Sequence, residues 1–235
     1  MDTLFLGLAA EDWRALAFSA GVSSVAVLGS LPFGLVLGWL LARRDFLGKT
    51  LLETLLNLPL VLPPVVTGYL LLVLLGRRGW LGAPLHDSLG IQVAFTWMAA
   101  ALAGAVMGFP LLVRSVRVAF QGVDPRFAQA ARSLGAGPLD AFLTVSLPLA
   151  RHGVLAGVVL SFARGLGEFG ATLLFAGSQP GRRTLAVQLY LLHEQPGEAA
   201  EQRLWRLVTA AVLLSCAALA ASEYLQRRGA PRDSP

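Results

Sequence analysis

Charged residues are scarce in this sequence. Asp, Glu, Lys and Arg make up 14% of its 235 residues, whereas hydrophobic residues make up 55%. Soluble domains contain about 25% charged residues, so a soluble domain of this composition would lack the polar surface that it needs. A cytosolic enzyme is therefore disfavoured, and the same composition excludes a disordered chain and a coiled coil. We expect a membrane protein.

Residues that bind metals or form disulfides are also few. The only cysteine is Cys216, in an apolar stretch, which excludes a disulfide framework and a cysteine-based zinc site. The three histidines, His86, His152 and His193, do not have the spacing of metal ligands. No nucleophile is paired with a base along the chain. We therefore expect no metal site and no catalytic residue.

Two nucleotide-binding patterns lack the context that gives them meaning. Gly48-Lys49-Thr50 resembles the end of a P-loop, but the first glycine of that motif would fall at Arg43 and no strand precedes it. Residues 165–170 match G-x-G-x-x-G, but they lie inside an apolar stretch and not at a strand-to-helix turn. We interpret these glycines as sites of close helix contact or local unwinding. No cofactor is expected on this chain.

Long apolar stretches predict an all-α, polytopic membrane helical bundle, with residues 1–235 forming a single domain. A span needs about 20 predominantly apolar residues. Five stretches meet this length: residues 16–42, 51–75, 95–118, 151–176 and 204–225. Residues 184–193 are too short to cross and are predicted to be interfacial or re-entrant, with a sixth span as the alternative. Three G-x3-G pairs, which begin at Gly34, Gly104 and Gly153, predict close helix packing within the chain.

The distribution of Lys and Arg predicts the orientation. With five spans, one side of the membrane receives eleven of them: Arg43, Arg44, Lys49, Arg114, Arg117, Arg126, Arg132, Arg151, Arg227, Arg228 and Arg232. The other side receives seven: Arg14, Arg77, Arg78, Arg182, Arg183, Arg203 and Arg206. The positive-inside rule places the first group in the cytoplasm, the N-terminus outside and the C-terminus inside. The basic excess is thus interpreted as a topology signal, and no nucleic-acid partner is expected. Acidic residues at the N-terminus disfavour a signal peptide, so no cleavage is expected.

The loop between the third and fourth spans, residues 124–148, is predicted to be a helical hairpin. Asp124-Pro125 is typical of an N-cap followed by proline at the first helical position. Gly135 and Gly137 end this helix, and Pro138 begins another. The pair Leu147-Pro148 is expected to break the chain before the fourth span. From spacing alone, the hairpin is either a docking element for another protein or an ordinary connector.

A motif in this hairpin resembles a known family. The pattern Gln129-Ala130-Ala131-x3-Gly135-x9-Val145-x-Leu147-Pro148 looks like the EAA loop of the permeases of binding-protein-dependent ABC importers. In that family the loop inserts into the ATP-binding subunit. The resemblance implies that six residues couple the chain to such a partner, which would use the ATP: Gln129, Ala130, Ala131, Gly135, Leu147 and Pro148. Gln129 replaces the glutamate of the family, so a charge-assisted contact is lost.

Two further segments are similar to the molybdate permeases of that family. The run LPLVLPPVV at residues 58–66, with Gly68-Tyr69 and GRRG at residues 76–79, resembles their second span. The run FARGLGEFGAT at residues 162–172 is similar to the fourth span of molybdate and sulfate permeases. The resemblance implies a homodimer in the bacterial inner membrane, an ABC ATP-binding subunit and a periplasmic or extracytoplasmic oxyanion-binding protein. It favours molybdate, with tungstate as a co-substrate, and leaves sulfate or another oxyanion as the alternative.

Prolines in the second span point to a translocation path. Pro63 and Pro64 cannot donate backbone hydrogen bonds, which frees carbonyls one turn earlier. In lipid, freed carbonyls must meet protein or a water-lined cavity. A broken helix is therefore expected, with Thr67 and Tyr69 just beyond the break as path residues. A packing kink satisfied by neighbouring helices is the alternative.

Charges inside the fourth span are the second indication of a path. At helical spacing Ser161, Gly165, Glu168 and Thr172 share one face, and Arg164 lies beside them. Arg164 and Glu168 are four residues apart and can pair. Charges at this depth usually face the bundle interior or an aqueous cavity. The pair either gates the passage of an oxyanion or braces the dimer core.

Two other classes of protein remain alternatives. A secondary transporter or channel acting alone is disfavoured by the short chain, the absence of an obvious internal repeat and the spacing of the coupling loop. A structural or assembly protein of the membrane would not be expected to carry Arg164 and Glu168 within a span.

Overall fold

The computed structural model describes residues 8–229, except the side chains of residues 218, 221, 222 and 225–229. Residues 1–7 and 230–235 lie outside this range. They include the N-terminus and the C-terminus, whose sides of the membrane the sequence predicted. Within it the chain is helical, which confirms the all-α class. The helices are α1 (Ala10–Arg43), α2 (Lys49–Val61), α3 (Pro64–Leu75), α4 (Gly82–Leu89), α5 (Trp97–Gln121), α6 (Pro125–Ser133), α7 (Pro138–Ala141), α8 (Leu147–Leu166), α9 (Gly170–Phe175), α10 (Leu185–His193) and α11 (Glu198–Gly229).

Helix α5 forms the centre of the bundle and packs between α1 and α8. The Thr96 hydroxyl begins it by accepting a hydrogen bond from the Met98 N–H at 3.2 Å. Small side chains let the neighbouring backbones come close. A Cβ added at Gly108 would lie 2.5 Å from Ser161 Oγ on α8, and one added at Gly34 would lie 2.7 Å from a Leu112 methyl group. The predicted close packing at these glycines is confirmed.

Three helical segments of the described residues are long and apolar enough to cross a membrane: α1, α5 and the continuous run Pro138–Leu166. The bent pair of α2 and α3 makes a fourth if it is counted as one span. Helix α11 covers the predicted fifth span, residues 204–225, and the structure describes only some of the side chains of this helix. The boundaries of the spans in the lipid stay predictions.

The second span is broken at its prolines, as the sequence predicted. Helix α2 ends at Val61 and α3 begins at Pro64, and the helix axis bends by 112° between them. The last bond of α2 joins the Leu62 N–H to the Leu58 carbonyl at 3.0 Å. Pro63 and Pro64 have no N–H to continue this ladder, which is why the helix stops there.

The hairpin of α6 and α7 agrees with its prediction, but the expected break at Leu147-Pro148 is wrong. The Asp124 carboxylate caps α6 by accepting from the Arg126 N–H at 2.9 Å. At the other end, a π-helical turn over Phe142–Ser146 joins α7 to α8 without interruption. A wider turn immediately before Pro148 avoids the i to i−4 bond that proline cannot make, so the helix continues.

The fourth span is also interrupted, at the glycine-rich segment. Helix α8 ends at Leu166, Gly167 caps it, and α9 begins at Gly170. The local unwinding proposed from the glycines is therefore observed. The single helical face predicted for Ser161, Gly165, Glu168 and Thr172 does not exist, because the first two lie on α8 and the last on α9, with Glu168 between the helices.

Helix α10 lies beside the first turns of α1. The Leu185 N–H at its start donates to Ser19 Oγ at 2.6 Å, and its Gln188 amide donates to Asp12 Oδ1 at 3.3 Å. Leu185 and Leu192, near its two ends, join one buried cluster with Leu207 of α11. Both ends of α10 therefore lie at the same end of the bundle, which agrees with an element that does not cross.

Candidate translocation site

The two interruptions of the spans meet in the structure. A Cβ added at Gly68 on α3 would lie 2.7 Å from the Ala171 Cα on α9. One added at Gly170 would lie 3.0 Å from both the Pro64 Cβ and the Val65 N. The two short helices that follow the breaks are therefore packed backbone against backbone. The sequence predicted the break in the second span and gave local unwinding as one of two interpretations in the fourth. It did not predict that the two interruptions touch.

Arg164 and Glu168 form the predicted ion pair at this junction. Arg164 Nη1 donates to Glu168 Oε2 at 2.7 Å. Glu168 is 1% exposed, whereas the Arg164 side chain is 27% exposed. The other carboxylate oxygen, Oε1, accepts a hydrogen bond from the Ala171 N–H at 2.9 Å. Glu168 thus links the end of α8 to the first turn of α9, where free N–H groups need acceptors.

The remaining predicted path residues take different positions. Thr172 is buried, and its hydroxyl donates to the carbonyls of Glu168 at 3.0 Å and Phe169 at 2.9 Å. Ser161 is buried where α8 meets α5. Thr67 is buried on α3, and its Oγ1 has no hydrogen-bond partner among the described residues. Tyr69 is exposed.

A residue that the sequence did not single out joins this neighbourhood from α1. Ser23 is buried, and its Oγ also has no hydrogen-bond partner in the described part of the chain. A Cβ added at Gly165, beside Arg164, would lie 3.1 Å from that oxygen. Only a contact between distant segments reveals Ser23, because a serine in an apolar helix carries no signal of its own.

The junction combines features that suit the passage of an anion. Arg164 is partly exposed and Glu168 is buried, and the hydroxyls of Thr67 and Ser23, which have no partner among the described residues, lie on neighbouring helices. A guanidinium attracts an oxyanion and can bind it with two parallel hydrogen bonds. A carboxylate that competes for the same guanidinium would weaken the binding of an anion and favour its release.

The predicted coupling residues lie on the hairpin and at its base. Gln129, Ala130 and Gly135 are exposed, and Gly135 has a φ of 98°, a left-handed conformation that favours glycine. Leu147 lies at the base, where it packs on a buried cluster that includes Phe120. Pro148 is exposed at the start of α8 and Ala131 is half-buried.

Large apolar side chains on the hairpin were missed by the sequence analysis. Leu134 is 90% exposed, Leu139 is 70% exposed and Phe127 is 57% exposed. These residues stand in a segment, residues 124–140, that also carries four charged residues, and large apolar side chains in such a polar loop were an available signal for a docking surface. We refer to Phe127, Leu134 and Leu139 as the hairpin apolar surface.

A second buried ion pair, also missed, fixes the N-terminal end of α1. Asp12 is fully buried, and Arg203 of α11 donates to it through Nε at 2.7 Å and Nη2 at 2.8 Å. Hydrogen bonding to this carboxylate raises the pKa of the Arg203 guanidinium above its usual range. The same guanidinium reaches Glu11 at 3.1 Å. The residues are nearly 200 positions apart, so no local pattern could have paired them.

Comparison with known proteins identifies the family of the chain. Residues 34–232 match the family described as the binding-protein-dependent transport system inner membrane component. The chain belongs to this family. It is 52% identical to the molybdenum transport system permease protein ModB of Escherichia coli strain K12, over 92% of this chain and 94% of that protein. It is also 41% identical to the sulfate transport system permease protein CysT of Salmonella typhimurium, over 66% of this chain and 55% of that protein.

A solved structure agrees with this assignment at the level of the fold. The permease is similar in fold to a bacterial ABC transporter involved in the import of alginate, with a TM-score of 0.65 and 16% identity. The similarity covers 93% of the permease and 80% of the chain of that transporter. The family and the relatives identify the chain as a multi-pass inner-membrane permease.

Proposed function

We propose that this permease is the membrane-spanning subunit of an ATP-driven molybdate importer. The observation that carries the proposal is the 52% identity to a molybdenum transport permease over 92% of this chain and 94% of the relative. The similarity to the sulfate permease covers only 66% of this chain and 55% of that protein. Because tungstate is a tetrahedral dianion of closely similar shape, the same path would admit it.

The energy for transport comes from a partner in this proposal. An ABC ATP-binding subunit docks on the α6–α7 hairpin, where the hairpin apolar surface leaves three large side chains uncovered. Uncovered apolar patches of this kind mark protein contacts. One hairpin per chain implies two permease chains for two ATP-binding subunits, hence a homodimer. ATP binds and is hydrolysed on the partner, and a periplasmic binding protein delivers the oxyanion.

We further propose that the junction of α3 and α9 is part of the gate. The two helices begin at the breaks and touch through Gly68, Gly170 and Ala171. A movement of the coupling hairpin reaches this point along α8, because the run Pro138–Leu166 is continuous. Arg164, at the far end of that run, would then change its distance from the buried Glu168 and open or close the path to an anion.

The proposal is tested by reconstituting the permease with its ATP-binding subunit and its binding protein in proteoliposomes. We expect ATP-dependent uptake of radiolabelled molybdate, strong competition by tungstate and weak competition by sulfate. If the permease forms no complex with the ATP-binding subunit and supports no uptake, the ABC importer assignment is wrong. If sulfate competes as well as tungstate, the transporter is an oxyanion importer without preference for molybdate.

Exchanging the binding protein shows whether the selectivity for molybdate belongs to the permease or to the binding protein. The same permease is assayed with the binding protein of a sulfate importer. A permease that itself prefers molybdate would still exclude sulfate, whereas a permeable path would transport whichever oxyanion the binding protein delivers. The second result would place the selectivity outside this chain.

A further inference from the structure

A basic cavity opens near the hairpin end of the bundle, away from the junction of α3 and α9. It has a volume of about 350 Å³ and lies between α1, α2 and α5. Its polar lining consists of Arg114 and Arg117 from α5 and of Glu53 and Asn57 from α2. Leu56 and other apolar side chains form the remainder of the wall. Cavities of this size are typical of small-ligand sites.

One positive charge in this cavity is left over. Arg117 Nη1 pairs with Glu53 Oε1 at 3.0 Å, so these two charges compensate each other. Arg114 has no hydrogen bond or ion pair with any described residue, and it is exposed. The Asn57 amide donates one bond, to the Glu53 carbonyl at 2.7 Å, and retains a second N–H for a ligand. The cavity therefore offers a net positive charge and free donors, which suit an anion.

The position of the cavity indicates where that anion comes from. Arg117 lies about 6 Å and Arg114 about 10 Å along the axis from the end of α5, which ends at Gln121. A helix of 25 residues is about 37 Å long and exceeds a hydrocarbon core of about 30 Å, so its last turns reach the headgroup region. Leu60 of α2, on the same helix face as the cavity-lining Leu56 and Asn57, is 41% exposed. A ligand with a phosphate group and apolar chains would match both the charge and this apolar face.

We propose that this cavity binds the phosphate group of an anionic membrane phospholipid. Arg114 and the free N–H of Asn57 bind the phosphate oxygens, and the Arg117–Glu53 pair forms the opposite wall. The acyl chains lie against Leu56 and Leu60 of α2. Basic pockets between helices at the cytoplasmic side bind anionic headgroups in other membrane proteins. The site requires only that this end of α5 lie at a membrane surface, so it stands independently of the transported substrate.

Native mass spectrometry of the full chain tests the site. The permease is purified in mild detergent with the subunits that extract with it, and it is titrated with phosphatidylglycerol or with zwitterionic phosphatidylethanolamine. We expect phosphatidylglycerol to bind more tightly, and Arg114→Gln to weaken it about five- to tenfold, the effect of one basic residue near a membrane surface. Arg114→Lys should retain much of the affinity because it keeps the charge.

Two controls make the result decisive. Arg151→Gln removes the same charge from an exposed position at the start of α8, and we expect it to leave lipid binding unchanged. Equal effects of Arg114→Gln and Arg151→Gln, or no effect of either, would overturn the proposal. Competition with millimolar inorganic phosphate distinguishes the source of the anion. Displacement of the lipid by phosphate would show that the cavity takes soluble oxyanions as well, whereas retention of the lipid supports the phospholipid site.

Discussion

At the scale of single residues, Glu168 combines two tasks that usually fall to different side chains. One carboxylate oxygen pairs with Arg164 at 2.7 Å and the other accepts from the Ala171 N–H at 2.9 Å. The first contact controls the charge at the junction, and the second holds the start of α9. Substitutions that separate the two contacts can therefore distinguish a gate from a structural brace.

We predict that Glu168→Gln impairs transport more than it impairs folding. The amide oxygen of glutamine can still accept from the Ala171 N–H, but the charge that restrains Arg164 is lost. Uptake should fall about tenfold, since a charge-assisted hydrogen bond contributes about 1.5 kcal/mol. Glu168→Ala, which loses both contacts, should also lower the thermal unfolding temperature of the purified protein. ATP-dependent uptake and thermal unfolding are measured on the same preparations.

Glu194→Gln is the matched control for this prediction. Glu194 is exposed at the end of α10. The Glu194→Gln variant should therefore have the uptake and the unfolding temperature of the wild-type protein. Full transport by both Glu168 variants and by Arg164→Ala would show that the Arg164–Glu168 ion pair has no role in gating. A fall in stability without a change in transport per folded molecule would identify the pair as a structural brace.

The Arg164–Glu168 ion pair could be predicted from the sequence, but its surroundings could not. The i to i+4 spacing predicted the contact of Arg164 with Glu168, and two charges in an apolar span predicted that the site is internal. That Glu168 caps a new helix depends on the stop at Gly167, and the motif alone did not decide between unwinding and close packing. Ser23 and Asp12 acquire their roles only from segments far away in the chain.

At the scale of helices, the contact of α3 with α9 depends on the absence of side chains. We predict that Gly68→Ala disrupts this contact, because the new Cβ would lie 2.7 Å from the Ala171 Cα and 2.8 Å from its carbonyl oxygen. Neither backbone atom can move without displacing α9. Overpacking of this kind costs about 1–3 kcal/mol, and both the thermal stability and the uptake should decrease.

Gly29→Ala provides the comparison on a helix of the same bundle. Nothing lies within 4 Å of a Cβ added at Gly29. Alanine has the higher helix propensity, so this variant should be neutral or more stable by up to about 1 kcal/mol. If the two variants behave alike, the packing of α3 against α9 is not sensitive to volume and the junction is looser than the structure indicates.

The Asp12–Arg203 pair makes a separate prediction about the N-terminal end of α1. Removing one partner should destabilise the protein by about 3 kcal/mol, because it leaves the other group without its counter-charge. Asp12→Asn and Arg203→Gln should each lower the thermal unfolding temperature, and the double variant should lose less than the sum. Glu11→Gln is the control, since the Glu11 side chain is 65% exposed and such pairs contribute little. Additive effects of Asp12→Asn and Arg203→Gln would contradict a direct interaction.

The prolines show why element boundaries were only partly predictable. Pro63 and Pro64 ended α2 as expected, because two consecutive residues without an N–H leave no local alternative. Pro148 was expected to end a helix in the same way, yet a π-helical turn over Phe142–Ser146 absorbs it. A single proline near the start of a long helix can be accommodated by a local change of hydrogen bonding, and neighbours packed on that turn decide the outcome.

At the scale of the whole molecule, the hairpin apolar surface predicts where the partner binds. Leu134→Glu should abolish co-purification of the ATP-binding subunit, because it places a charge on the most exposed residue of the hairpin apolar surface. The permease itself should fold normally, since Leu134 is 90% exposed. Leu89→Glu introduces the same change on a leucine that is 65% exposed at the end of α4, and it should leave the complex intact. Equal loss with both variants would argue against a specific role of the hairpin.

The path of α10 leads to a prediction about topology. Nine residues of helix span about 14 Å, less than half of a hydrocarbon core of about 30 Å. Hydrogen bonds tie α10 to Ser19 and Asp12 on α1, and the next helix returns to Asp12 through Arg203. The segment thus enters and leaves at the same end of the bundle. The loop after α10 should therefore lie on the same side of the membrane as α4, and the α6–α7 hairpin on the other.

Cysteine accessibility tests this arrangement on a Cys216→Ser background, in which the only native thiol is absent. In spheroplasts, a membrane-impermeant maleimide should label Leu89→Cys and Gln195→Cys. Leu134→Cys should react only after the membrane is permeabilised, because the positive-inside rule places the arginine-rich hairpin in the cytoplasm. Protection of Gln195→Cys together with labelling of Leu89→Cys would make α10 part of a sixth crossing. Labelling of Leu134→Cys alone would invert the orientation and place the hairpin beyond the reach of any cytoplasmic ATP-binding subunit.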